Sequence, residues 1–205
     1  MSTFREKIQE YAQRLKARED FFTGDVKQLE YFAEHASNNT EEAVRQKVSV
    51  LNHYQIHDLA CHEEIIDHIL SLNIDEHLGV GDLQVVNNIA HFHYRGKDRV
   101  LLEFASEYCN SHKPTVYPIF SEQHIGLMAD YLANHDHLKE GETLSEYTTF
   151  KEGLDYIMDR FGLTEMLNYY EVHKLDWLYV DKLLKELGSE NAWLFPFFKE
   201  LNERL

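Results

Sequence analysis

The chain has 205 residues, of which 43% are hydrophobic and 13% aromatic, so it can build the core of a folded domain and wholesale disorder is excluded. Its formal net charge of -16 repels phosphate backbones at long range, which disfavours unspecific coating of nucleic acid. A local basic patch can still bind, because salt screens charges that lie beyond about 8 Å.

Signals for secretion, membrane insertion and disulfide bonding are missing from the sequence. The N-terminal residues are charged and helical in pattern, without the apolar stretch of a signal peptide. No run approaches the roughly 18 apolar residues that a membrane span needs. Cys61 and Cys109 are isolated, which is not the pattern of a disulfide framework. We therefore expect a soluble cytoplasmic protein with no membrane partner and no cofactor.

Helical spacing of apolar residues dominates the first part of the chain. A capping box at Thr3-x-x-Glu6 opens the first predicted helix, and a turn at residues 23–25 separates it from the second. A polar loop, residues 37–40, precedes the third. The helices predicted before residue 93 cover residues 4–15, 29–36, 41–54, 56–74 and 82–92.

The second part of the chain continues this pattern. Residues 94–99 are predicted as a polar hinge, and the apolar helix that follows breaks at Lys113-Pro114. A short extended piece, residues 117–120, leads to a new helix that opens at Ser121. A later helix, residues 148–161, is expected to stop at Gly162 in the C-cap role.

These elements predict an all-α protein with a compact multi-helix domain. We expect residues 1–50 to form N-terminal helices that pack on a main helical domain of residues 51–205. The C-terminal tail is too apolar to stay exposed, so it must be buried in the domain, line a base pocket or form a homodimer contact. Its aromatic residues are Trp177, Tyr179, Trp193, Phe195, Phe197 and Phe198.

The 13 histidines raise the possibility of a metal site. His57, Cys61, Glu64 and His68 have the spacing of a single helix stripe, and their side chains suit zinc or iron. One helix supplies only two or three ligands with sensible geometry, and no second cluster in the sequence completes the set. A solvated, histidine-rich helix face explains the same spacing, so we expect no metal site.

Four stretches between residues 67 and 161 carry a resemblance to a known family. The chain resembles an uncharacterised bacterial family related to 8-oxoguanine DNA glycosylases, of the helix-hairpin-helix base-excision superfamily. The resemblance covers about half of the chain, and "FASEYCNSH" and "YPIF" are its most specific pieces. The stretches are "DHILSLNIDEHL", "GDLQVVNNIAHF", "GKDRVLLEFASEYCNSHKPTVYPIF" and "YTTFKEGLDYIMDRFGL".

This resemblance implies an all-helical fold in which the backbone amides of a hairpin hold a DNA phosphate. It also implies a damaged base that is flipped into a pocket and an aspartate just past the short extended segment. The aspartate assists cleavage of the glycosidic bond, because a carboxylate stabilises the positive charge that develops on the sugar. Some members add a lysine nucleophile after the hairpin.

The chain departs from this pattern at two positions. Ser121 stands where the resemblance implies the aspartate, and a hydroxyl carries no charge at pH 7. Glu122 is the next carboxylate, about 100° further around a helix. Glu107 stands where the related pattern carries a lysine. Ser121 and Glu122 are therefore the candidate catalytic residues, with catalysis predicted to be lost or altered.

Two glycine-containing segments are candidates for the phosphate-binding hairpin. Residues 79–81 have the sequence Gly-Val-Gly but lie 40 residues before Ser121, about twice the usual spacing. Residues 95–99 lie closer, 25 residues from Gly96 to Ser121, and precede a helix whose free N–H groups favour an anion. The candidate DNA-binding residues are Arg95, Gly96, Lys97 and Arg99. A solvated interhelical turn is the alternative.

The leading hypothesis is therefore a helical, DNA-glycosylase-like protein that binds DNA or a nucleobase through this basic patch. It predicts that the patch lies beside the start of the helix at Ser121. An alternative is a non-enzymatic acidic scaffold, or a protein-interaction module, that keeps the fold. A metal-dependent enzyme that uses the histidine-rich helix is a third hypothesis.

Overall fold

A computed structural model describes residues 4–17, 23–51, 61–139, 141–176 and 178 of the chain. Helices account for most of these residues, so the predicted all-α class is confirmed, with one small two-stranded sheet added. None of the described helices combines the length and the apolar character that crossing a bilayer requires. In chain order the elements are α1 (Phe4–Lys16), α2 (Thr23–Glu34), α3 (Glu41–Leu51), α4 (His62–Leu72), α5 (Asp75–Val80), α6 (Gln84–Ala90), β1 (His91–Tyr94), β2 (Lys97–Val100), α7 (Leu102–His112), α8 (Glu122–Asn134) and α9 (Tyr147–Phe161).

The chain divides into two compact units. The terminal unit comprises Met1–Arg18 and Ser121–Leu205, and the central unit comprises Glu19–Phe120. The boundary predicted between residues 50 and 51 stays a prediction, because residues 52–60 lie outside the described ranges. The aromatic tail that was expected to form a pocket or a dimer contact lies outside them as well, apart from residue 178.

Helix α7 forms the core of the central unit. Its residues from Phe104 to Ser111 are buried except for the half-buried Glu107, and α2, α3 and α6 pack around it. A helix that is covered on nearly every side must satisfy the polar groups it carries. The buried polar side chains of "FASEYCNSH" therefore make hydrogen bonds inside the fold.

The predicted break after α7 is confirmed, and α7 itself holds the extended piece that follows. The helix ends at His112, and residues 117–121 run without helix or strand to the start of α8. Asn110 Nδ2 donates a hydrogen bond to the carbonyl of Tyr117 (2.6 Å), and the Phe120 amide donates to Ser106 Oγ (2.9 Å). Because these groups are buried, the bonds replace those that a helix would have supplied.

The residues before α7 form a β-hairpin. The prediction of a polar hinge flanked by two helices is therefore wrong, because a strand lies on each side of the turn. Helix α6 ends at Ala90 instead of continuing to residue 92, and β1 pairs with β2 in antiparallel register. The pairs are His91 with Val100, Phe92 with Arg99, His93 with Asp98 and Tyr94 with Lys97. A strand forms here because the side chains of β1 alternate between exposed and buried, which is the period of a sheet.

In the terminal unit, α9 ends as predicted. Gly162 adopts φ 68°, the left-handed conformation of a C-cap, and its amide bonds to the last carbonyls of the helix. Gly153 lies in the middle of α9, where an added Cβ would come within 2.6 Å of Leu132 Cδ1. Helices α8 and α9 therefore pack closely at this position. A further helical segment spans residues 169–176.

Candidate nucleic-acid interface

The predicted DNA-binding residues lie together on one β-hairpin, residues 91–100, which we call the basic hairpin. Arg95 and Gly96 form its two-residue turn with φ 49° and 74°, the positive values that such tight hairpin turns require. Lys97 and Arg99 follow on β2, where every residue is exposed. Because side chains alternate along a strand, Lys97 and Arg99 lie on the same face.

Two of these cations, Lys97 and Arg99, make no polar side-chain contact with the described part of the protein. Lys97 and Arg99 have no ion pair or side-chain hydrogen bond within it, and Arg95 lies over the ring of its neighbour Tyr94, 4.9 Å from the ring centre. Other cations are engaged: Arg45 Nη2 is 2.7 Å from Glu41 Oε1 and also contacts Glu63, and Lys16 Nζ is 2.7 Å from Glu171 Oε1. Within the part of the chain that the structure describes, the charges of Lys97 and Arg99 are therefore left to solvent.

The opposite face of the hairpin carries histidines and a carboxylate. His93 and Asp98 face each other in the register, and His93 Nδ1 is 3.0 Å from Asp98 Oδ1. His91 shares this face, and its Nδ1 is 2.9 Å from the carbonyl oxygen of Asn87 in α6. Asp98 therefore points away from the side on which Lys97 and Arg99 stand, so it weakens their positive field less than its place in the sequence suggests.

The candidate catalytic pair stands at the start of α8, as predicted. Ser121 is extended (φ -140°, ψ 119°) and half-buried, and its side chain makes no capping hydrogen bond to the helix. Glu122 is the first helical residue and is exposed. A carboxylate in the first turn of a helix interacts favourably with the helix dipole, so Glu122 suits this position.

The two parts of the predicted site belong to different units. The basic hairpin lies in the central unit, and Ser121 is the first residue of the second segment of the terminal unit. The convergence of the hairpin cations beside Ser121 stays a prediction.

The Gly79-Val80-Gly81 segment ends α5, as expected of a helix terminator. Gly81 has φ 77°, and a Cβ added to it would lie 3.2 Å from the side chain of Val116. The carbonyl of Gly79 accepts a hydrogen bond from Lys113 Nζ, which lies just after α7. This glycine pair is therefore packed against the break that follows α7.

The histidine-rich stripe is divided among several environments. Cys61 is buried at the start of α4, Glu64 is exposed, and His68 Nε2 is 2.8 Å from the carbonyl oxygen of Asn88. His57 lies outside the described ranges. Among the residues with assigned positions, no group of three His, Cys, Asp or Glu side chains is arranged to hold a metal ion.

A buried polar cluster in the central unit was not predicted from the sequence. It consists of the buried Asn38, Lys47 and Tyr108, the half-buried His112 and the exposed Asp75. Lys47 is fully buried, and its Nζ donates to the carbonyl of Ser37 and to Asn38 Oδ1, both at 2.8 Å. The Tyr108 hydroxyl donates to the same Asn38 oxygen at 2.6 Å, and Asn38 Nδ2 donates to Asp75 Oδ1 at 2.7 Å.

Burial and hydrogen bonds shift the pKa values of the groups in this cluster. Desolvation lowers the pKa of Lys47 to about 8, although the Asp75 carboxylate acts in the opposite direction. Desolvation would raise the pKa of Asp75, but hydrogen bonds from Asn38 and Ser37 outweigh it and the pKa is lowered. His112 lies against the rings of Phe32 and Tyr108, and desolvation together with Lys47 lowers its pKa to about 3.

One signal for this cluster was present in the sequence. Val44, Lys47, Val48 and Leu51 follow the i, i+3, i+4, i+7 spacing of a buried helix face, and all four are buried. A lysine in the middle of an apolar stripe requires polar partners from elsewhere in the fold. The stripe indicates that such partners exist but not which residues supply them.

Two comparisons with known proteins gave matches. Residues 7–116 match the family HI_0787_N, described as an N-terminal domain. An uncharacterized protein of Haemophilus influenzae is 26% identical over 129 residues, which cover 61% of this chain and 63% of the relative, so the match takes in less than two thirds of that protein. No solved structure matches. Neither match is named as a DNA glycosylase, so the predicted relation to that superfamily stays a prediction.

Proposed function

The chain belongs to the HI_0787_N family, and we propose that it binds the phosphate backbone of DNA through the basic hairpin. The matched residues 7–116 include the whole hairpin. The observation that carries the proposal is the set of cations at residues 95, 97 and 99, which the described part of the fold leaves without ion pairs.

The shape of the hairpin suits this role. The cations stand on the exposed strand β2, whereas Phe92 and Tyr94 of β1, which share their face, are buried, so the hairpin offers strand β2 to a phosphate backbone. Contacts from lysine and arginine to phosphates position a protein on DNA without reading its sequence. The overall charge of -16 opposes long-range attraction, so binding depends on contacts made within a screening length of the hairpin.

A glycosylase reaction is the activity that the resemblance implies for this DNA-binding protein. Its departure from the related pattern is chemical, since Ser121 cannot stabilise a cationic sugar as a carboxylate does. Glu122 is the carboxylate adjacent to that position and lies exposed in the first turn of α8. We therefore assign binding to the hairpin and treat Glu122 as the acid of any remaining base-release activity.

A salt titration of DNA binding tests the hairpin. Three phosphate contacts give a slope of log K against log salt of about -3, and removing one cation reduces its magnitude by about 1. Fluorescence anisotropy with a labelled duplex between 50 and 200 mM NaCl measures this slope for the wild type, Lys97→Gln and Arg99→Gln.

Arg45→Gln is the matched control for this titration. It removes one half-buried arginine from the same unit, and that arginine is paired with Glu41 and Glu63. We expect the control to keep the wild-type slope. The absence of DNA binding at 50 mM NaCl, or an equal loss of affinity in Arg45→Gln and Arg99→Gln, would refute the hairpin as the DNA-binding site.

Base release tests the catalytic residues separately. Duplexes that carry 8-oxoguanine, alkylated or deaminated bases are incubated with the protein, and the abasic product is cleaved and counted. If Glu122 has replaced the missing acid, Glu122→Gln abolishes base release. Ser121→Asp restores the carboxylate of the related pattern and is expected to raise it. Activity unchanged in both variants would remove these two residues from the reaction.

A non-enzymatic acidic scaffold is the second candidate function. The substitutions that favour it are Ser121 and Glu107, which replace an acid and a base of the related pattern, together with the excess of 36 acidic over 20 basic residues. This candidate predicts no DNA affinity at moderate salt. The titration above therefore decides between the two functions.

A further inference from the structure

We propose that His91 and His93 form a two-imidazole chelate for a late divalent transition-metal ion, on the face of the basic hairpin opposite Lys97 and Arg99. The two histidines are separated by one residue in β1, so their side chains leave the same face about 7 Å apart at Cα. Both are exposed, and 65% of the His93 side chain is accessible to solvent. A metal ion can therefore reach both rings.

The hydrogen bonds of the two rings set which nitrogen is available. His91 Nδ1 lies 2.9 Å from the carbonyl oxygen of Asn87, which can only accept, so Nδ1 carries the proton. His93 Nδ1 lies 3.0 Å from the Asp98 carboxylate, which fixes the same tautomer. In each neutral imidazole the lone pair is then on Nε2, the atom that binds a metal.

These partners also hold the rings in place. Histidines that ligate metals usually donate their other N–H to a carboxylate or a backbone carbonyl, which orients the ring and raises its basicity. His91 has the carbonyl and His93 has the carboxylate. The Asn87 carbonyl belongs to α6, so the position of His91 is fixed by the end of that helix.

The ligand set defines the class of metal. Imidazole suits copper, nickel and zinc, whereas magnesium and calcium require oxygen ligands. Within the described ranges no third His, Cys, Asp or Glu completes a site, so water molecules fill the remaining positions. The expected order of affinity is copper above nickel and zinc.

Calorimetric titration with Ni²⁺ tests the chelate, and it does not involve DNA. We expect His91→Asn and His93→Asn each to weaken one binding event at least tenfold, and Asp98→Asn to weaken it about tenfold through the lost orientation of His93. His35→Asn is the control, since His35 is also exposed and bonded through Nδ1 to a carbonyl, that of Tyr31 (3.0 Å).

A spectroscopic measurement distinguishes loss of the chelate from misfolding of the variant and from metal binding at another site. With one equivalent of Cu²⁺, pulsed electron paramagnetic resonance should show coupling to two imidazoles in the wild type and in His35→Asn. His91→Asn and His93→Asn should each lose one coupling while the far-ultraviolet circular dichroism stays unchanged. Equal Ni²⁺ isotherms for the wild type and the His91→Asn/His93→Asn double variant would overturn the proposal.

Discussion

The central unit places positive charge in two regions and treats it in opposite ways. In the buried polar cluster, Lys47 is fully covered and donates hydrogen bonds to Ser37 and Asn38. In the basic hairpin, Lys97 and Arg99 are exposed and have no ion pair with any residue that the structure describes. The donors of the cluster are bonded within the fold, whereas the two cations of the hairpin are exposed.

This contrast separates the cation that is bonded inside the fold from the cations that are exposed to solvent. A buried charge is costly unless it is paired and hydrogen-bonded, and this cost is visible in the pKa of Lys47, which burial lowers to about 8. An exposed cation carries no such cost, and Lys97 and Arg99 are exposed. Substitutions in the two regions should therefore divide cleanly between stability and binding.

The largest effect is expected from Asn38→Leu in the buried polar cluster. The Asn38 side chain accepts bonds from Lys47 and Tyr108 and donates to Asp75. Leucine would leave the buried Lys47 and Tyr108 without that partner, and we expect a loss of about 3–5 kcal/mol in the free energy of unfolding. Urea denaturation measures it. Asn39→Leu is the matched control, because Asn39 is exposed, and it should change stability by less than about 0.5 kcal/mol.

Titration of Lys47 gives the next largest effect. Its pKa is 10.5 in an unfolded chain and about 8 in the fold, so between these values the unfolded chain binds more protons. The free energy of unfolding contributed by this group therefore rises with pH from about 8 to 10.5, by up to about 3 kcal/mol. Above pH 9, burial of Cys109 and Tyr108 acts in the opposite direction, because burial raises both pKa values.

Comparison with Lys47→Met isolates the lysine, because both proteins contain Cys109 and Tyr108. The difference in unfolding free energy between wild type and variant should shift in favour of the wild type as the pH rises through this window. Urea denaturation at pH 7, 8, 9 and 10 measures it. A difference that stays constant with pH would mean that Lys47 is not desolvated as the structure indicates.

A moderate effect is expected at the hairpin turn. Gly96 has φ 74°, and a Cβ added to it meets no atom within 4 Å. The cost of Gly96→Ala is therefore conformational only, about 1 kcal/mol in the free energy of unfolding. Thermal denaturation measures it. A loss above about 3 kcal/mol would indicate that the hairpin is integral to the core. It would contradict the separation between a region that stabilises the fold and a region that does not.

The smallest effect on stability is expected from Lys97→Gln and Arg99→Gln. Each removes an exposed charge without a partner in the described part of the fold, so stability should change by less than about 0.5 kcal/mol. The same variants are the ones expected to weaken DNA binding. A variant that loses stability and affinity together would contradict the separation.

Local signals in the sequence determined much of the fold. The break at Lys113-Pro114, the start of α8 after Ser121 and the stop at Gly162 were predictable, because proline and glycine act on the backbone of their own neighbours. The hairpin was missed because each of its strands has only four residues. Alternation over four residues is too short to distinguish from one turn of helix.

The candidate site was predictable in its residues but not in its geometry. Three cations around a glycine mark residues 95–99 in any secondary structure, whereas the face on which Asp98 lies depends on the strand register. The buried polar cluster depends on contacts between distant residues, with Asn38 bonded to Tyr108, 70 positions away. Such pairs form only when the helices have packed, so no local pattern identifies them.

The attachment of residues 117–120 to α7 has a mechanical consequence. Phe120 is the last residue of the central unit, and its amide is bonded to Ser106 one turn below the Asn110 side chain that holds Tyr117. Tension applied to the chain beyond this residue would load those two side-chain bonds first. Helix α7 would therefore act as an attachment point for the end of the central unit.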